Sequence, residues 1–223
     1  MRPRLVILAI AGVLLVAPSL RADTFDFGLC TSVSGVVSCP GDTGSTTATF
    51  TSAGGLTLMA FGFNNGGTTT DLAIKDTPSP ERGIGIASDG DHEVNTSTFV
   101  NLDLSTLLGK GITSGTLVLG SLQAGEDFEV CQGGTVGQLG SLNCVTGGQS
   151  GSTALASLAL SWTGATDDIL GITAFTPAGG STGANLAIES LTFTAAVPEP
   201  SGLVLLGTGL LGAAAAIRRK SRS

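Results

Sequence analysis

The 223-residue chain carries seventeen acidic and ten basic residues, a formal charge of −7, with 34 glycines, four cysteines, one histidine and no tyrosine. All the acids lie between Asp23 and Glu199, where the only bases are Lys75, Arg82 and Lys110. So acidic a body excludes nucleic acid as a partner, because that binding depends on neutralising phosphates, and its 42% hydrophobic content argues against a disordered glycine-rich chain.

The chain opens "MRPRLVILAIAGVLLVAPSLRADTF". Arg2 and Arg4 form a positive leader and Leu5 to Ala17 an uninterrupted apolar run, the pattern of a secretory signal peptide. Ala22 is a small residue before the expected cut, although Leu20 occupies a position where a small residue is preferred. Residues 1–22 are therefore expected to be handled by the secretion translocon and signal peptidase, the alternative being an uncleaved anchor. The remaining basic residues cluster beside the two apolar ends, and such flanks stay cytoplasmic while the acidic middle crosses.

Residues 23–196 are long enough to bury a core. Short apolar runs recur between turn formers: "TATFTS", "LTLMAFGF", "GIGIAS", "FVNLDL", "GTLVLGSL", "DFEVC", "ALASLALSW", "DILGITAFT" and "NLAIESLTFTAAV". Their length and alternation predict an all-β fold, an antiparallel β-sandwich or jelly-roll-like ectodomain. In the last run Leu186 and Ile188 share one phase, and Leu191 and Phe193 the other, so a bulge is expected near Ser190. "NLDLSTLLGKG" reads either as a short helix or as a strand end and turn. Turn formers make "FNNGGTTTD" and "FTPAGGSTGAN" the expected stretches of low order.

The cysteines form two local pairs, Cys30 with Cys39 and Cys131 with Cys144. An even count in an exported protein reads as disulfides, and local pairing is preferred among the three connectivities. Each would contribute about 2 to 3 kcal/mol by loop entropy, the second joining "DFEVC" to "LGSLNCV" as adjacent strands. With no CxxC and one histidine, zinc and redox chemistry lack their ligands.

The densest polar stretch is "ERGIGIASDGDHEVNTSTFVNLDLS". Asp89, Asp91, Glu93 and Asn95 alternate, and oxygen ligands so spaced can line a turn around calcium. The EF-hand pattern is broken, since Val100 stands where the closing Glu belongs. An acidic hairpin loop without metal is the favoured reading, and no cofactor is expected. Catalysis is not expected either: His92 sits in this loop without a motif-supplied nucleophile, and no GxSxG, HExxH or phosphate loop occurs. The acids Asp167 and Asp168, or Glu126, Asp127 and Glu129, could serve glycoside hydrolysis only if the fold opposed them. Trp162 reads as core.

The chain ends "VPEPSGLVLLGTGLLGAAAAIRRKSRS". Ser201 to Ile217 are seventeen uncharged residues, about 25 Å if helical, marginal for a bilayer core of about 30 Å. Arg218, Arg219, Lys220 and Arg222 form a basic stop. Pro198, Glu199 and Pro200, the Leu- and Gly-rich run and the basic end together resemble the PEP-CTERM sorting signal of exported bacterial proteins, here residues 197–223. The resemblance implies exosortase as partner, a transient stay in the inner membrane through the apolar run, processing near Pro198 to Pro200, and a destination at the cell surface or outside the cell. "GIGIASDGDHEVN" with "FVNLDLS" is also similar to a segment of many PEP-CTERM ectodomains, through Gly83, Gly85, Asp91, Glu93 and the strand at Leu102 to Leu104; Thr98 departs from it where an acid often stands.

Two functional classes follow. One is a non-enzymatic surface or extracellular-matrix protein associated with exopolysaccharide or biofilm. The other is a calcium-assisted carbohydrate-binding module or adhesin.

Overall fold

The computed structural model describes residues 19–28, 45–75, 77–148, 154–164, 166–175 and 183–197. Residues 22–195 form one compact unit. In chain order its elements are β1 (Ser19–Asp26), β2 (Thr47–Thr51), β3 (Thr57–Asn64), β4 (Leu72–Lys75), β5 (Gly83–Ile86), β6 (Val94–Asn95), β7 (Thr98–Asp103), α1 (Ser105–Leu108), β8 (Ser114–Leu122), β9 (Asp127–Gln132), β10 (Leu142–Gly148), β11 (Ala154–Ser161), β12 (Ile169–Phe175) and β13 (Asn185–Val197).

The strands build two antiparallel sheets in a β-sandwich, as the alternating runs predict. The first has the order β11-β8-β13-β5-β4, with β1 and β6 also pairing β13; the second has the order β10-β9-β12-β7-β3-β2. Each apolar run of the sequence coincides with a strand, because alternate side chains must leave water together when one face of a sheet is covered. The inner faces meet in a single core. There Phe25 lies 5.4 Å from Phe193, and Phe27 meets Phe50 edge-on at 4.8 Å. Such a pairing of rings adds about 0.5–1.5 kcal/mol to the burial itself.

The expected slip in β13 is present. Its register against β8 shifts between Ile188 and Ser190, so Leu186, Ile188, Leu191 and Phe193 are all buried although their parity changes. "NLDLSTLLGKG" is both of its readings: β7 runs to Asp103 and one turn of helix, α1, follows and buries Leu107. Trp162 is fully buried, and its indole N–H donates to the Ile112 carbonyl at 2.7 Å. Asp23, at the expected mature start, lies within β1; its carboxylate accepts from Ser52 Oγ at 2.5 Å and from the Gly54 N–H at 3.0 Å. That pins the turn between β2 and β3 to β1.

One expectation is corrected. "FNNGGTTTD" is an ordered turn, not a loose stretch: the Gly67 N–H donates to the Asn64 carbonyl at 2.8 Å and the Asn64 N–H to Thr68 at 2.9 Å. Gly67 has φ +76°, which glycine adopts without a Cβ penalty. Most of "FTPAGGSTGAN" lies outside the described residues.

Candidate functional site

The second sheet has an unusual outer face. In β7 every residue from Thr98 to Leu102 is buried, and in β12 every residue from Ile169 to Ala174. A strand buried on both faces needs a second cover, and the segment 133–141 between β9 and β10 supplies it. The register sets Cys131, Gly171 and Asn101 side by side across β9, β12 and β7, and this segment crosses above that row. At Gly171 a Cβ would collide with the Leu139 carbonyl oxygen, so only glycine admits the crossing. Asn101, fully buried, holds it from below: its amide donates to the Gln138 carbonyl at 3.0 Å, and its carbonyl accepts the Gly137 N–H at 2.9 Å. Gly137 and Gly140 both have φ +96°.

The base of the segment is tied by the Cys131–Cys144 disulfide, with Cα atoms 4.0 Å apart, joining β9 to β10 as the cysteine spacing implies. Cys30 and Cys39 lie outside the described residues. The Glu129 carboxylate lies with the two sulfurs inside 4.8 Å, but sulfurs bonded to each other are not thiolate ligands.

Beside the covered row runs a second row, Glu129, Thr173, Phe99 and Phe63, set by the pairing of Glu129 with Thr173 and of Phe99 with Phe63. Glu129, Thr173 and Phe99 of this row line a cleft of about 590 Å³, while Phe63 is buried beside them against Gly137. The crossing segment at Gly137 to Leu139 and the turn at Asn65 to Gly67, with Thr96, also line it, and the two meet where Gly67 lies against the Gly137 carbonyl. Phe99 stacks on Phe63 at 5.3 Å. Phe175 stands at the rim with 38% of its surface exposed. Asn65 is fixed by donating its side-chain amide to the Thr96 carbonyl at 2.8 Å. Among the described residues no lysine or arginine lines the cleft.

The alternating oxygens of the acidic hairpin do not converge as one set. Asp89 accepts the Asp91 N–H at 3.2 Å and the Asn95 side-chain amide at 3.0 Å. Glu93 is buried and turned the other way, into an ion pair with Lys75. Lys75 also meets Glu81 at 3.0 Å and Ser121 Oγ at 3.3 Å, and Ser121 donates to Glu81 at 3.0 Å. Burial opposes the lysine's charge, but the hydrogen bonds and charges of Glu93 and Glu81 outweigh it and raise its pKa. A lysine held charged is unsuited to take a proton from the serine beside it.

Two further acids are engaged one by one. Glu126 accepts the Gln123 N–H at 2.6 Å and the Asn185 N–H at 3.2 Å. Burial, with Glu93 and Glu81 nearby, raises its pKa against those hydrogen bonds. Asp167 closes a turn by accepting the Thr163 and Gly164 N–H groups at 2.9 and 2.7 Å; those bonds hold its pKa low although burial opposes them. His92, at φ +58°, shapes the hairpin backbone.

Pro198, Glu199, Pro200, Arg218, Arg219, Lys220 and Arg222 lie outside the described residues, as does the apolar run between them. Among the described residues no helix is long and apolar enough to cross a membrane. No curated protein matches the chain, and no solved structure matches it. The family described as the PEP-CTERM protein-sorting motif matches residues 196–220, beginning within the last two residues of β13. The chain thus carries the PEP-CTERM protein-sorting motif directly after its β-sandwich, and that motif implies an exported protein with exosortase as its processing partner.

Proposed function

We propose that the protein is a non-enzymatic component of the cell surface or extracellular matrix, delivered by exosortase processing and associated with exopolysaccharide or biofilm. The observation that carries this reading is the sorting motif at residues 196–220. In the sequence of events, signal peptidase cuts after Ala22, the run from Ser201 to Ile217 holds the chain in the inner membrane, and exosortase cuts near Pro198 to Pro200. The two prolines lack backbone donors and disfavour helix before the apolar run, which leaves an extended segment for a protease. The non-enzymatic part of the reading is supported by Glu126 and Asp167, which are committed to backbone groups, and by Glu93, committed to Lys75.

Intact mass and cell fractionation, with and without exosortase, test it. The expected product starts near Asp23, ends near Pro200, and leaves the membrane only when the enzyme is present. Replacing Pro198, Glu199 and Pro200 by alanine should keep the full-length form in the membrane. Processing unchanged by that replacement would retire the exosortase reading.

The alternative, a carbohydrate-binding module or adhesin, draws support from the cleft on the second sheet. Its calcium-assisted form draws none from Glu93, which Lys75 engages.

A further inference from the structure

We infer that the cleft between the crossing segment and the Asn65 turn binds a neutral oligosaccharide stretch of an extracellular polymer. This deepens the reading of a polysaccharide-associated surface protein and rests on it for the source of the ligand. The volume, about 590 Å³, lies within the ~300–1,000 Å³ of small-ligand sites, enough for a few sugar rings.

Three features select the chemistry. First, the floor lies on strands β9, β12 and β7, each paired on both sides, so the backbone offers no edge on which a peptide could add as a strand. Second, among the described residues the lining has no lysine or arginine and includes Glu129, so phosphates, uronic acids and nucleic acids meet a like charge without a counter-charge. Third, the polar groups that remain suit hydroxyls. The Glu129 carboxylate accepts from two hydroxyls, the Gln138 amide both donates and accepts, and the Asn65 carbonyl accepts because its amide nitrogen is committed to Thr96. Phe175, half-exposed at the rim, offers an aromatic face to the C–H face of a pyranose, where apolar burial supplies attraction without charge.

The walls are held in advance of any ligand. Asn101, the Gly171 gap and the Cys131–Cys144 bond fix one side, and the Asn64 to Thr68 hydrogen bonds fix the other. A preformed site spends little of its attraction on ordering.

Titration calorimetry of the purified full-length chain with cellohexaose, laminarihexaose, maltohexaose and mannohexaose, and with a hyaluronan hexasaccharide as the acidic probe, tests the assignment. At least one neutral hexaose should bind with Kd of about 1 mM or tighter, and the acidic probe about tenfold more weakly or not at all. Phe175→Ala should weaken the neutral hexaose about tenfold. Gly66→Trp should do the same by narrowing the cleft, since nothing lies within 4 Å of a Cβ placed there and the fold is left intact. Glu129→Gln should abolish the discrimination against the acidic probe, and Leu155→Ser, on β11 of the other sheet, should change nothing. No neutral binding up to several millimolar, or binding untouched by Phe175→Ala and Gly66→Trp, overturns the inference. A correctly sorted product that binds none of these probes retires only the cleft. A hexaose-binding chain whose processing ignores exosortase retires the sorting reading instead.

Discussion

Asn101→Leu removes the side chain that holds the crossing segment from beneath, at nearly constant volume. Two hydrogen bonds disappear, to the Gly137 N–H and the Gln138 carbonyl, each with a net value of about 0.5–1.5 kcal/mol. If the segment stayed in place, both backbone groups would also lose their partners over a leucine, at about 1–3 kcal/mol apiece. Lifting the segment into water avoids the second cost. The loss should therefore settle near the lower sum, about 2 kcal/mol, which lowers Tm by roughly 4 to 8 °C in a domain of this size. Thermal unfolding read by circular dichroism measures the total, and hydrogen exchange at residues 135–140 locates it. Exchange there should rise while β8 and β13 keep their protection. A Tm within about 1 °C of the parent, with unchanged exchange, would show that Asn101 does not hold the segment.

Reducing the Cys131–Cys144 bond, or replacing both cysteines by serine, frees a loop of 13 residues. It should cost about 3 kcal/mol, and non-reducing mass spectrometry of the exported protein should find these two thiols oxidised. Lys75→Met leaves buried Glu93 without its cation and should destabilise by about 2–4 kcal/mol at neutral pH, less as falling pH protonates the carboxylates. In the parent, a lysine whose folded pKa is raised above 10.5 contributes stability that is complete below that value. The contribution is lost as pH rises through the folded pKa, so alkaline denaturation should set in earlier for the parent than its Lys75→Met difference at neutral pH alone would suggest. With Glu93 committed to Lys75, millimolar calcium should leave Tm unchanged; a rise that disappears in an Asp89→Ala, Asp91→Ala variant would show the hairpin to be a metal site.

The strands were legible because alternation reports what a sheet face does to neighbouring side chains, and β13 shows how far that reaches. The change of phase from Leu186 and Ile188 to Leu191 and Phe193 can be satisfied only by an extra residue, and the register shift falls there. The hairpin between Cys131 and Cys144 was legible for a similar reason, since twelve residues between two cysteines leave few ways to close. The cleft was not. "ILGITAF" is apolar on both faces, which signals a second cover but not what the cover is. That cover depends on Gly171 meeting Leu139 and on Asn101 meeting Gly137, contacts set by the order of strands in the sheet. The partner of Glu93 was not legible for the same reason: its alternation with Asp89 and Asp91 is local, whereas Lys75 sits on another strand. "FNNGGTTTD" combined residues that serve equally in a tight turn and in a loose loop, and its hydrogen bonds decide between them.

Strand β13 is the last of the sandwich and lies inside its sheet, between β8 and β5, with β1 and β6 on it as well. A chain threaded through a membrane from its N-terminus delivers this strand after all the others. Until Asn185 to Val197 emerge, β8 and β5 have no common neighbour, and Phe25 and Phe27 have no Phe193 or Glu189 to close on. Pairings between the first strand and the last carry the largest chain separation, the slowest kind to form. The domain must therefore cross unfinished. Pro198 follows β13 directly, so the strand that completes the core and the sorting motif are separated by hardly a residue, and the signal for export sorting reaches a domain that has only just become able to fold.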